Sequence, residues 1–222
     1  MWRRITLGAG CTIMRYLDRG AEPQSWVDFK RRNKKVRYSD LDTTPDGRAV
    51  RQQMRAHLVS SQNGLCAYCC ARIGAGSDSS LTEHIKPESR FPNETMDYSN
   101  LIASCVRKDS CGIAKGSEYS QQFVSPLQPD CAEHFRFYPD GSVVGVDERG
   151  KVTCDLLQLD CYPLRSARRA MIESLAWADA DYVRDYYIAP DKDGNCEQFA
   201  DMLEQLCDRG FFSDPVDSAT DG

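Results

Sequence analysis

The sequence predicts an α+β protein in which a small two-stranded unit, clipped by a metal, is embedded in a mostly helical chain. Three observations carry that expectation. Cys66-Ala67-Tyr68-Cys69 forms a Cys-x-x-Cys pair, and Cys105 with Cys111 can supply a second pair. Between the pairs lies a strand-like run, Leu81 to Ile85, stopped by Pro87. Apolar residues at helical spacing recur on both sides of this region.

Along the chain, residues 1–63 form an N-terminal segment that is polar and basic up to residue 42, with few periodic signals. The run from Lys30 to Arg37 reads either as a solvated face or as an arm that contacts phosphate. A helix is expected over 44–62. Thr44 or Asp46 can cap it, Pro45 suits its first turn, and Val50, Met54 and Leu58 form one stripe before Asn63-Gly64 ends it. His57 lies beside that stripe and is left out of the site. Residues 64–122 hold the cysteine pairs and the strand. Residues 123–222 are expected to be mostly helical, after a short hairpin around Pro139-Asp140-Gly141. There, Leu164 to Ile188 reads as helical, and Asp193-Gly194-Asn195 opens a last helix with Phe199, Met202, Leu203 and Leu206. The acidic end from Ser213 is expected to fray.

Composition sets the outer limits. The chain has 222 residues, 41% hydrophobic and 27% charged, which is ordinary for a globule able to bury its own core. A net charge of −5 excludes holding nucleic acid by bulk positive charge, so phosphate binding must come from a local patch or a metal. No apolar run approaches the roughly 18 residues of a membrane span. The 11 cysteines are too many and too scattered for a small disulfide scaffold, and point to a reducing cytoplasm with a subset on a metal. Trp2-Arg3-Arg4 and the apolar stretch before Cys11 faintly imitate a secretion signal, but the stretch is short and glycine-diluted, and Arg15, Asp18 and Arg19 follow.

Two chemistries are written into residues 66–116. A Cys-x-x-Cys turn places two thiolates on one edge of a zinc tetrahedron, and Cys105 with Cys111 can close it around Zn2+. The five residues between the second pair exceed the usual two to four, so a redox pair or plain buried thiols remain alternatives; Cys70 is read as a spectator. The second feature is Glu83-His84. On a strand their side chains point to opposite faces unless the strand bends. An acid on a divalent ion beside an imidazole acting as general base is one arrangement suited to hydrolysis near pH 7. Lys86 and Lys115 are read as phosphate contacts; a solvated lysine is the alternative for each, and for Lys86 the two readings are even.

Cys66-x-x-Cys69, Glu83-His84-Ile85-x-Pro87, Asp97-Tyr98-x-Asn100-Leu101, Cys105, Cys111-Gly112 and Lys115-Gly116 together resemble the HNH, or ββα-metal, endonuclease motif. The resemblance implies a metal-dependent nuclease that hydrolyses phosphodiester bonds in DNA. His84 would be its general base, Glu83 the first ligand of a catalytic Mg2+ (or Mn2+), and Asn100 the central asparagine that braces the loop. The four cysteines would hold structural zinc. The longer runs Leu65–Cys69, Glu83–Pro92 and Asp97–Leu101, with Phe135-Arg136-Phe137 and Leu156–Leu159 further on, are similar to the PtuB-like HNH subunit of Septu-type and retron-associated antiphage systems. That similarity implies an ATPase partner encoded alongside.

One departure stands out. The family places a His or Asn just after the last cysteine, where this chain has Gly112-Ile113. Asp109 or Glu118 could substitute as an oxygen ligand, the ion could rest on Glu83, phosphate and water, or a partner could complete the site. The same departure motivates the alternative of a non-catalytic, zinc-stabilised module that binds nucleic acid or protein. A thiol-sensing protein is a third reading, resting on the cysteine count alone.

Overall fold

Trp26 and Phe29, three residues apart, anchor the first helix, α1 (Gln24–Arg32), with Lys30, Arg31 and Arg32 at its electronegative C-terminal end. The structure is a computed structural model that describes residues 14–212. The signal-like stretch through Cys11 and the acidic end from Ser213 lie outside the described residues. The Trp26 indole N–H donates to the Met96 carbonyl at 3.1 Å and ties α1 to the loop that precedes the second strand. Sequence periodicity did not reveal α1, because two apolar anchors in nine residues make too thin a stripe.

A 3-10 turn (Tyr38–Thr43) leads into α2 (Pro45–Ser61), which lies within the expected 44–62. Thr44 caps it by accepting the Gly47 N–H at 3.0 Å. Val50, Met54 and Leu58 are buried along one stripe, and Asn63 and Gly64 take left-handed φ of 56° and 72° beyond the last turn. The Gln62 amide joins this end to the sheet. It donates to the Leu65 and Ala103 carbonyls at 2.9 Å each and accepts the Ala103 N–H at 2.8 Å.

Strands β1 (Ser80–His84) and β2 (Leu101–Cys105) pair antiparallel, with Glu83 opposite Ile102 and His84 opposite Leu101. Every residue of β2 is buried. Helix α3 (Cys111–Lys115) follows, so the chain order here is strand, strand, helix.

The expected hairpin forms from β3 (Phe135–Phe137) and β4 (Val143–Gly145) around Gly141, whose φ of 80° only glycine adopts at no steric cost. Helix α4 (Glu148–Leu157) was not foreseen; its buried face of Gly150, Thr153, Cys154 and Leu157 offers little apolar contrast. The stretch expected as helical from Leu164 to Ile188 is broken. Helix α5 (Tyr162–Ser174) ends before Leu175, and α6 (Ala180–Val183) restarts because the Asp179 side chain accepts the Tyr182 N–H at 2.7 Å. A π-helical turn (Arg184–Ile188) continues it. The last helix, α7 (Ala200–Asp208), begins later than expected. The Asp191 carboxylate accepts the N–H groups of Asp193 and Asn195 at 2.9 Å each, which stabilises a turn in place of a helix start.

One apolar core runs from Trp26 through Leu58 and Leu101 to Phe137, Leu164 and Leu203. The described architecture is therefore α+β, with helices packed around two small antiparallel sheets. No helix among the described residues is long and apolar enough to cross a membrane.

Candidate functional site

Four sulfurs meet beneath β1 and β2. Cys66 and Cys69 lie in the turn after α2, Cys105 ends β2, and Cys111 opens α3. Their Sγ atoms all lie within 4.8 Å of one another, and all four residues are buried. Cys66 and Cys111 are 3.9 Å apart, as are Cys69 and Cys105. A tetrahedral zinc with Zn–S bonds of about 2.3 Å requires sulfurs about 3.8 Å apart, so the quartet fits the ion. The Cys105 N–H points at the Cys66 sulfur at 3.3 Å, and the turn docks on β2 through Ala67 N–H to the Ala103 carbonyl at 3.0 Å. Without a cation the quartet shares its charge unequally: against the cost of burial, hydrogen bonds from the other three hold Cys66 well below the usual thiol value, while Cys105 above all holds Cys69 and Cys111 well above it. A bound zinc would reverse that balance. Cys70 stands apart, donating to the buried Asp201 carboxylate at 2.8 Å. The ten cysteines among the described residues are all free thiols.

His84 closes β1. Its Nε2 is 2.9 Å from the Thr95 carbonyl oxygen. A carbonyl only accepts, so Nε2 carries the proton and Nδ1 keeps its lone pair. The Tyr38 ring meets the imidazole edge-on, with centroids 4.8 Å apart. Burial lowers the His84 pKa below its usual 6.5, against a smaller opposing effect of Thr95. The ring is therefore neutral at pH 7, with the Nδ1 lone pair open to a proton.

Asn100 is buried under the loop that carries Thr95. Its Oδ1 accepts the Lys86 N–H at 2.7 Å, and its Nδ2 donates to the carbonyls of Lys86 at 3.0 Å and Glu94 at 3.1 Å. These bonds commit Asn100 to bracing residues 86–94.

Glu83 leaves the strand on the other face, toward α3, as strand alternation requires. It is 8% exposed, and Lys115, only 1% exposed, places Nζ 2.9 Å from its Oε1. The same Nζ donates to the His84 carbonyl at 3.1 Å. Burial raises the Glu83 pKa to about 7, with the Lys115 charge pulling it back down. Gly112 backs onto this carboxylate: a Cβ there would fall 2.7 Å from Oε2. The buried Tyr68 hydroxyl, without an aligned hydrogen-bond partner, faces it too.

The residues present do not fit a divalent ion at Glu83. Its carboxylate already holds an ammonium, and among the described residues the cysteine quartet is the only group of three or more potential ligands close enough to share a metal. Asp109 is exposed and 3.8 Å from Arg107, and Glu118 is exposed on the turn after α3. Neither joins Glu83.

Of the two lysines read as phosphate contacts, Lys86 is half exposed and pairs with Glu94 at 2.7 Å. Lys115 is not at the surface, because the buried acid draws it inward. Two other basic clefts adjoin residues that touch His84, although the imidazole itself lines neither. One, of about 310 Å³, is lined by Arg48, Arg51 and Arg55 against Asp42. Its Arg51 guanidinium stacks 5.1 Å from the Tyr38 ring that touches His84. The other, of about 360 Å³, is lined by Lys34, Lys35, Arg37 and Thr95, the residue that holds the imidazole.

With this geometry in place, one relative stands out. The chain is 30% identical over 105 residues to Septu protein PtuB of Bacillus thuringiensis. The match covers 46% of this chain and 39% of that protein, so the chain spans well under half of its relative's matched-protein length. No family model matches the chain.

Sequence reasoning missed Tyr38, Thr95 and the arginine row of α2, which approach His84 only through tertiary folding. It also missed the Glu83–Lys115 pair. The signal for that pair was Gly112 itself, since a glycine in place of a ligand side chain implies close approach by another group.

Proposed function

We propose that the chain hydrolyses phosphodiester bonds in DNA, as the effector nuclease of an antiphage defence system acting with an ATPase partner in the cytoplasm. The observation that carries the chemistry is the His84 imidazole, with Nε2–H anchored on Thr95 and Nδ1 left as acceptor, and with basic clefts reaching its neighbours Thr95 and Tyr38. Similarity to Septu protein PtuB supports the defence role, and the likeness to Septu-type systems supports the ATPase partner.

In this reading residues 64–122 form the nuclease core, with 1–63 supplying the basic clefts and 123–222 the helical support. Zinc on Cys66, Cys69, Cys105 and Cys111 holds the base of the hairpin rigid. His84 Nδ1 takes a proton from water as its oxygen attacks phosphorus, and the bond to the leaving oxygen breaks with that oxygen taking a proton from solvent. Arginine and lysine side chains of the clefts seat the phosphates on either side. Asn100 acts as a positioning residue by holding the loop that aims His84. The net charge of −5 favours delivery to DNA by a partner, since the isolated chain gains little long-range attraction. The Mg2+ (or Mn2+) expected from the family resemblance supplies no step here, because Glu83 is already paired with Lys115.

His84→Ala should abolish plasmid nicking while fold and zinc content stay unchanged. Equal cutting by wild type and variant would refute the assignment. The same Glu83–Lys115 pair favours a second reading, a zinc-stabilised binding module without catalysis. Absence of cutting with Mg2+ or Mn2+, with the ATPase partner present, would establish it.

A further inference from the structure

The seat beside Glu83 is built as a cation site, and a side chain fills it. Three oxygens surround the Lys115 ammonium: Glu83 Oε1 at 2.9 Å, the His84 carbonyl at 3.1 Å and the Gly116 carbonyl at 3.5 Å. The two carbonyls accept hydrogen bonds from the ammonium, and the contact with Oε1 is a close ion pair without an aligned hydrogen bond. The backbone that carries it is anchored, because Lys115 is the last residue of α3 and Cys111, its first, belongs to the sulfur quartet. At 1% exposure the amine has no water to retreat into. On the far side of the carboxylate, Gly112 leaves no side chain that could ligate, and a Cβ there would press on Oε2 at 2.7 Å.

We propose that Lys115 is the resident cation of this site: its ammonium takes the place of a divalent ion at Glu83, and the chain binds no Mg2+ or Mn2+ there. A divalent ion on the same carboxylate would sit against a buried like charge, with the His84 and Gly116 carbonyls already engaged by the ammonium. The inference rests on the nuclease reading only for its consequence, that any hydrolysis by His84 proceeds without added divalent metal. The neutral, buried pair then serves to hold the end of β1, and with it the His84 backbone, against α3.

The test uses the full-length, zinc-loaded chain and reads Mn2+ binding by electron paramagnetic resonance and calorimetry. Wild type should bind no more Mn2+ than Glu83→Gln through the millimolar range. Lys115→Met should bind Mn2+ at least about tenfold tighter than wild type, and the double variant with Glu83→Gln should lose that gain. Should Lys115→Met fail to fold, Lys115→Gln carries the same expectation. Wild-type Mn2+ binding that Glu83→Gln removes would overturn the proposal, and so would a folded Lys115 variant that gains none. Cutting plays no part in this readout, so a chain that never cuts would sink the nuclease reading and leave the resident cation standing. Cutting that requires added Mg2+ and Glu83 would sink the resident cation and leave the nuclease reading standing.

Discussion

Asn100→Ala tests the link from a buried side chain to the aim of the imidazole. The substitution removes three hydrogen bonds, of 2.7, 3.0 and 3.1 Å, and strands one N–H and two carbonyls of the loop at a position 3% exposed. A buried neutral hydrogen bond contributes about 0.5–1.5 kcal/mol net, so three give about 3 kcal/mol. In a chain of this size each kcal/mol moves Tm by about 2–4 °C, so the melting point should fall by roughly 6–12 °C. Calorimetry at saturating zinc measures it. The bond to Glu94 neighbours Thr95, whose carbonyl holds His84 Nε2, so DNA cutting should fall more than about tenfold with zinc content intact. Asn100→Asp should fare no better, because its carboxylate would face two carbonyls where the amide donates. A Tm within about 2 °C of wild type would refute the bracing argument.

Cys105→Ser should lose the zinc, whereas Cys131→Ser, whose thiol only donates to the Met14 carbonyl at 2.6 Å, should keep it; elemental analysis of the purified variants decides. Because burial lowers the His84 pKa, cutting should hold its plateau below the usual 6.5 and fall only as pH drops through the lowered value. The stability contributed by the neutral ring follows the same sense, present above 6.5 and lost as pH falls through the folded value, and thermal melts across pH would show it. In a His84→Ala background, Lys34→Gln with Lys35→Gln, and separately Arg48→Gln with Arg55→Gln, should each weaken duplex binding and reduce the salt slope by about 2. Slopes unchanged from the parent would remove the clefts from the substrate path.

Much of the local structure was legible in the residues. The cap at Thr44 and the stripe of Val50, Met54 and Leu58 locate α2 to within a residue, and Pro139-Asp140-Gly141 marks the β3–β4 hairpin. The helices that went unseen, α1 and α4, bury few apolar side chains, so tertiary contacts stabilise them more than any periodic pattern announces. The break at Leu175 was hidden because Ala176 and Ala178 continue a helical composition through a turn that Asp179 ends.

Spacing along the chain alone determined that four cysteines could form one tetrahedron and that Glu83 and His84 would diverge from a common strand. The first pair and the divergence follow from short-range geometry, the reach of a two-residue turn and the alternation of a pleated backbone, and folding brings the second cysteine pair to the first. Folding alone decided what each side chain meets. Thr95 and Tyr38 fix the imidazole from distant segments, and a buried acid with no room beside Gly112 draws in Lys115. Such pairings depend on which surfaces lose water together, and a linear sequence does not record that.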